Sequence, residues 1–205
     1  MGSETLIRPA PADVAAYILA GGASQRMGES KARLLIGGTA AACHLARGLT
    51  PHVRSVWLVA KPDQGLEDLG LPMLYDTTAE RALVHGVRAA LQAPGPPWRF
   101  VCACDMPGVD ADILARLWQA AARARAPGSC LRHAERHTPE PVPSLWHADV
   151  AARVTPQWGL AAQDWIRAAG LVTSVATPEE AAALGNLNTP DAWRDFRARG
   201  QHGTT

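Results

Sequence analysis

Val14-Ala-Ala-Tyr-Ile-Leu19 runs directly into Ala20-Gly-Gly-Ala-Ser-Gln-Arg-Met-Gly-Glu-Ser-Lys31. Six apolar residues without polar alternation read as a parallel strand buried on both faces. The segment after it reads as a nucleotide-phosphate loop. Gly21 and Gly22 open backbone dihedrals closed to other residues, so the chain can approach a ligand closely. Their amides can cradle phosphate oxygens, and Arg26 and Lys31 add positive charge. The spacing is neither that of a P-loop, which needs G-x-x-x-x-G-K-[ST], nor the dinucleotide fingerprint G-x-G-x-x-G.

The pattern continues outward from that strand. Residues 55–60 predict a second strand. Residues 72–75 predict a short third one ending at Asp76, and residues 98–104 a fourth ending at Asp105. Helical spacing is expected over 39–49, 81–92 and 110–125, the last with Asp110 as its N-cap. Residues 127–140 read as a loop and 142–146 as a strand at the far edge of the sheet. Residues 161–169 read as a helix, 171–175 as a last strand and 186–190 as a turn, and a terminal helix is expected from Asp191. Strands alternating with helices imply an α/β class: a three-layer Rossmann-like fold with a mostly parallel central sheet and helices on both faces. One domain is expected over residues 1–200, followed by a polar tail over 201–205. In such a sheet the carboxyl ends of the strands line the ligand crevice. The glycine-rich loop, Asp76 and Asp105 should therefore converge on one edge.

Composition narrows the functional classes. Hydrophobic residues make up 47% of the 205 residues, enough for a substantial core. A formal net charge of +1 gives no electrostatic case for nucleic acid or a membrane surface as partner. No apolar run approaches the roughly 20 residues of a membrane span. The first residues lack the apolar core of a secretory signal, so the expected address is the cytoplasm. Cys102 and Cys104 sit two apart on a strand, share a face and cannot readily bridge each other. Cys130, His133 and His137 form a loose cluster that reads as a polar loop rather than a metal site. Lys31 and Lys61 are the only lysines in an arginine-rich chain. A lysine retained there points to a need for a compact point charge.

Leu19-Ala-Gly-Gly-x-Ser-x-Arg-Met-Gly-x-x-Lys31 resembles the signature of the molybdenum cofactor guanylyltransferase family, within the nucleotidyltransferase superfamily. Three later segments resemble that family in order. Cys104-Asp105-Met106-Pro107 is similar to its Cys-Asp-x-Pro metal segment. Glu140-Pro-Val-Pro-Ser-Leu-Trp146 is similar to its Pro-Leu-x-Ala-Leu-Tyr stretch, and Asn186-Leu-Asn-Thr-Pro190 to its terminal Asn-x-Asn-Thr-Pro. The resemblance covers residues 14–197.

It implies a Mg²⁺-dependent enzyme that transfers GMP from GTP to the phosphate of molybdopterin and releases pyrophosphate. Leu19, Ala20, Gly21, Gly22 and Ser24 would contact the nucleotide, and Lys31 would hold its phosphates. Asp76 would contact the nucleotide, and Asp105 would carry Mg²⁺ beside the α-phosphate. Lys31, Arg26 and Asp105 would be the catalytic groups. The pterin would lie near Asn186, Asn188 and the 127–141 loop. GTP and molybdopterin would be the substrates, and a recipient molybdoenzyme or its chaperone a further partner. The attacking phosphate is already anionic, so charge neutralisation and in-line alignment matter more than a base.

The chain departs from the family in two places. Where the family has Gly-Pro-Leu-x-Gly, this sequence reads Ala82-Leu-Val-His-Gly86, and Glu80, Arg81 and His85 are new polar groups. Where the family can present an asparagine after its second strand, Val59 stands here. Three alternatives stay open on these residues: a cytidylyltransferase for the same pterin, a guanylyltransferase acting on another small phosphorylated acceptor, and a non-catalytic relative that binds nucleotide or pterin. Leu19-Ala-Gly-Gly22 and Asn186-Leu-Asn188 favour guanine over cytosine, because the cytidylyl group carries Leu-Ala-Ala-Gly and Asp-x-Asp-Thr-Pro.

Overall fold

A computed structural model describes residues 8–20, 30–135, 138–150, 161–185 and Trp193. Its centre is β1 (Val14–Leu19), in which every residue is buried. That is why the segment lacks alternation: both faces meet apolar partners and no position is left for a solvent-facing side chain. β4 (Ser55–Ala60) and β6 (Trp98–Ala103) flank β1, both parallel to it, and β5 (Met73–Tyr75) extends the sheet beyond β4 in the same sense. Helices α1 (Ala41–Leu49) and α2 (Leu83–Gln92) both pack against β1 and β4. One continuous apolar core runs from Val14 through Leu45, Phe100, Leu117 and Trp146 to Leu184.

Among the described residues the main sheet has seven strands in the order β5-β4-β1-β6-β8-β7-β9. Here β7 is Gly128–Arg132, β8 is Ser144–His147 and β9 is Val172–Val175. Only β8 runs against its neighbours, antiparallel to both β6 and β7, while β7 and β9 are parallel. α3 (Ala111–Ala124) covers β7, β8 and β9. Its N-cap is as expected: Asp110 Oδ1 accepts from the amides of Asp112 at 2.9 Å and Ile113 at 3.0 Å.

Three expectations need correction. Residues 127–140 are not all loop, because Gly128–Arg132 forms β7 inside the sheet. Gly128 looks like a turn residue but is there for close approach: a Cβ would meet the Leu145 carbonyl at 2.3 Å. Cys130, read as part of a polar loop, is a buried strand residue whose thiol burial pushes up to about 12. The strand expected over 142–146 begins at Ser144 and lies in the interior of the sheet, and β9 takes the edge instead.

Two elements were not anticipated. Residues 39–40 pair with 35–36 as a hairpin, β2 (Leu35–Ile36) and β3 (Thr39–Ala40), so α1 starts at Ala41. Its turn, Gly37-Gly38, has φ of 54° and 80°, the conformation that a two-residue hairpin asks of both central residues. After α4 (Ala162–Ala169), which the sequence predicts, α5 (Pro178–Ala183) opens on a capping box. Thr177 Oγ1 accepts from Glu180 N, and Glu180 Oε2 accepts from Thr177 N. The turn at 186–190 and the terminal helix lie outside the described residues, apart from Trp193, which is helical and buried.

Candidate nucleotide-binding site

Four adjacent parallel strands end at the same level. Ala20 N donates to Val59 O at 2.8 Å, Cys104 N to Leu19 O at 3.0 Å and Asp76 N to Ala60 O at 2.9 Å. The ladders thus run one residue past β1, β5 and β6, and the residues there, Ala20, Asp76 and Cys104, face a common cleft. Leu19, Ala20, Val59, Asp76, Cys104 and Asp105 all line it, with Lys31 from the far side of the glycine-rich loop. The convergence expected from sequence is present for Leu19, Ala20, Lys31, Asp76 and Asp105. Gly21, Gly22, Ser24, Arg26, Asn186 and Asn188 lie outside the described residues.

Lys31 Nζ donates to Asp105 Oδ2 at 2.8 Å. Both side chains are mostly but not fully withdrawn from solvent, at 20% and 16% exposure, so a ligand entering the cleft can reach them. Asp105 Oδ1 accepts no hydrogen bond from the described residues. A carboxylate lining a cleft suits Mg²⁺, which keeps waters and takes its other ligands from substrate phosphates. The described residues contain no group of three His, Cys, Asp or Glu side chains that could cage a metal without such help.

Asp76 is held differently. Its Oδ2 stands 2.8 Å from Lys61 Nζ, and both side chains are buried, at 7% and 6% exposure. Its Oδ1 accepts from Thr78 N at 3.0 Å and Thr78 Oγ1 at 2.7 Å. Burial alone would raise the pKa of this carboxyl. The Lys61 and Thr78 hydrogen bonds outweigh it and hold the group below the usual carboxylate range. Cys104 also lines the cleft, but burial and the nearby Asp105 charge push its thiol far up, so it is no thiolate nucleophile.

The altered segment after Asp76 forms one wall. Arg81, Ala82, Leu83 and Gly86 all line the cleft. Ala82 is extended, so α2 starts at Leu83 rather than at 81. Arg81 pairs with Asp63 at 2.5 Å. His85 is no part of this wall: its Nε2 lies 3.1 Å from Glu80 Oε2. Gly86 sits against Leu19, where a Cβ would come within 3.2 Å of Leu19 Cδ2. The remaining wall is Glu140, Pro141 and Val142, from the segment leading into β8. Sequence reading singled out Lys61 as an unusual lysine but not its partner, and it gave no role to Gln64. Gln64 follows Lys61 by three residues, a spacing that signals a cap.

Comparison with known proteins places this architecture. The model of the MobA-like NTP transferase domain matches residues 16–173. A protein of Cupriavidus taiwanensis named molybdenum cofactor guanylyltransferase is 30% identical over 197 residues, covering 91% of this chain and 98% of that one. One from Mycobacterium ulcerans, named probable molybdenum cofactor guanylyltransferase, is 31% identical over 186 residues, covering 86% and 89%. The crystal structure of molybdopterin-guanine dinucleotide biosynthesis protein A from Archaeoglobus fulgidus superposes with a TM-score of 0.74. It does so at 20% identity, covering 91% of this chain and 98% of its own.

Proposed function

The chain belongs to the MobA-like NTP transferase domain family, and on that premise we propose that it transfers GMP from GTP to the terminal phosphate of molybdopterin. The observation that carries this reading is the Lys31–Asp105 pair, set at 2.8 Å where β1 and β6 end side by side. A fixed cation and a metal-binding carboxylate at one point are what phosphoryl-type transfer needs. In the transfer, a pterin phosphate oxygen forms a bond to the α-phosphorus of GTP. The α–β anhydride bond breaks, and pyrophosphate leaves with the bonding electrons.

Within this reading Leu19 and Ala20 bear on the nucleotide, together with Gly21, Gly22 and Ser24 of the loop. Lys31 and Arg26 neutralise the phosphates. Asp105 would hold Mg²⁺, whose charge would stabilise the electron density gathering on the phosphate oxygens. Asp76 is already balanced by Lys61, so it offers a polar contact without repelling the triphosphate. Leu19, Val59, Ala82 and Leu83 give an apolar wall for the base, and Gly86 keeps that wall close to the sheet. Asn186 and Asn188 are assigned to the pterin. No helix among the described residues is long and apolar enough to cross a membrane. A recipient molybdoenzyme or its chaperone in the cytoplasm would take the product.

The test is pyrophosphate release from GTP and Mg²⁺. Release is expected only when molybdopterin is present, and is expected to vanish in Asp105→Ala. GTP binding without pyrophosphate release under any of these conditions would instead mark a nucleotide-binding relative.

A further inference from the structure

The turn after β4 carries two side chains that stand behind the cleft rather than in it. Lys61 Nζ donates to Thr78 O at 2.6 Å and to Thr78 Oγ1 at 2.9 Å, and it forms an ion pair with Asp76 Oδ2 at 2.8 Å. Lys61, with its side chain only 6% exposed, is therefore committed to Asp76 and Thr78 behind the cleft. Gln64 closes the other side. Its Oε1 accepts from Lys61 N at 2.7 Å, and its Nε2 donates to Ala20 O at 2.8 Å. The amide orientation is forced, because Lys61 N–H can only donate and the Ala20 carbonyl can only accept.

The bond to Lys61 N is the ordinary cap of a short turn and needs no functional explanation. The bond to Ala20, 44 residues away in sequence, does need one. Ala20 is the last described residue before the glycine-rich segment, and its N–H is already held by Val59 O at 2.8 Å. A peptide unit is planar, so holding its oxygen fixes the plane of the bond that leads out of β1. Gln64 thus holds the exit of β1 to the backbone of the same lysine that clamps Asp76.

We infer that Gln64 is a positioning residue for nucleotide binding. With Lys61 it forms a bridge that fixes the entry to the phosphate loop and the Asp76 carboxylate relative to each other. The inference rests on the nucleotidyltransferase reading above. Its contribution is to ground-state binding of GTP, because neither side chain touches the reacting phosphates.

Two variants and two measurements test it. In Gln64→Ala, which loses the hydrogen bonds to both Lys61 and Ala20, KM for GTP is expected to rise about fivefold to tenfold, with kcat changed less than about twofold. Gln64→Glu is the sharper probe. Ionised, it faces the Ala20 carbonyl with an acceptor, so its KM should exceed that of Gln64→Ala at pH 8. Protonated, a carboxylic acid regains one donor and one acceptor. The ratio of its KM to that of wild type should therefore fall back as pH drops through the ordinary glutamate range, about 4.3. Amide hydrogen exchange without nucleotide is the second measurement. Gln64→Ala should lose protection at Lys61 and at the exit of β1. Unchanged exchange there, or an unchanged KM for GTP in both variants, would overturn the bridge. Changed exchange in Gln64→Ala, with a wild-type protein that turns over no GTP, would leave the bridge standing, and the nucleotidyltransferase reading would fall instead.

Discussion

Lys31 and Asp105 lie 74 residues apart in the chain and 2.8 Å apart in the fold. The other lysine repeats the arrangement, with Lys61 2.8 Å from Asp76. Both lysines of an arginine-rich chain therefore sit on the two aspartates of one cleft. The two pairs differ in burial, and the difference separates their roles. The outer pair is the more open to a ligand, whereas the inner pair is buried, with Asp76 at the cleft wall and Lys61 behind it.

For the outer pair, Asp105→Asn keeps the shape and removes the charge. Turnover should fall by about a thousandfold or more, the usual scale for losing a key electrostatic or metal-binding group. Stability should change by no more than about 1 kcal/mol, because the pair is partly exposed. Steady-state rates and a urea titration on the same preparation check both halves. A large loss of stability alongside would make Asp105 a structural residue.

Lys61→Met leaves the Asp76 carboxylate buried without its cation. Loss of one partner of a buried pair costs about 3–5 kcal/mol. The urea midpoint should fall accordingly. The double variant Lys61→Met/Asp76→Asn should recover part of that loss, since no unpaired charge remains. A double variant no more stable than Lys61→Met would contradict the buried-charge account.

The same pair sets an acid limb. The pKa of Asp76 is lowered in the folded protein relative to its ordinary value of 3.8. Its contribution to stability is therefore complete above the ordinary carboxylate range, and is lost as pH falls through the lowered value. Chemical denaturation between neutral pH and about pH 3 should show a loss that is shallower in the Lys61→Met/Asp76→Asn variant. Parallel pH profiles for the two proteins would assign the acid limb to other groups.

Alkylation reads the thiols. Cys102, Cys104 and Cys130 are buried, and burial raises all three, Cys102 to about 12. Cys43 is the half-exposed one and donates weakly to Leu69 O. Iodoacetamide on the native protein at pH 8 should modify Cys43 first, and the other three should react only on unfolding. Rapid native labelling of Cys104, with loss of activity, would mean that the cleft is more open at β6 than described.

Gly86→Ala should separate stability from affinity. Within α2 the change favours the helix by up to about 1 kcal/mol. The new Cβ, however, meets Leu19 Cδ2 at 3.2 Å, so the end of a side chain that lines the cleft must give way. The melting temperature should hold or rise slightly while KM for GTP rises. An unchanged KM would show that the base does not rest on Leu19.

The sequence disclosed most where one residue type could satisfy only one environment. β1 was legible because six apolar residues in a row suit only a strand covered on both faces. Asp76 and Asp105 were legible because each ends such a run. β7 was not, because Gly128-Ser129-Cys130 carries no period and its glycine serves packing rather than a turn. Ser129 is buried because its Oγ donates to Leu117 O at 2.6 Å, a partner that only the folded chain supplies. The Lys61–Asp76 pair was half legible: the lysine stood out by composition, but its partner came from strand order. Gln64 and Ala20 meet only because β4 lies beside β1, which no local spacing reveals.

The central claim is guanylyl transfer at the Lys31–Asp105 cleft, and the most direct test offers GTP and CTP side by side. Each is labelled at its α-phosphate and incubated with molybdopterin and Mg²⁺. Label should enter the pterin product from GTP, with release of unlabelled pyrophosphate, and Asp105→Ala should transfer none. Label entering the pterin from CTP alone would contradict the guanine assignment, and label entering from neither would contradict catalysis.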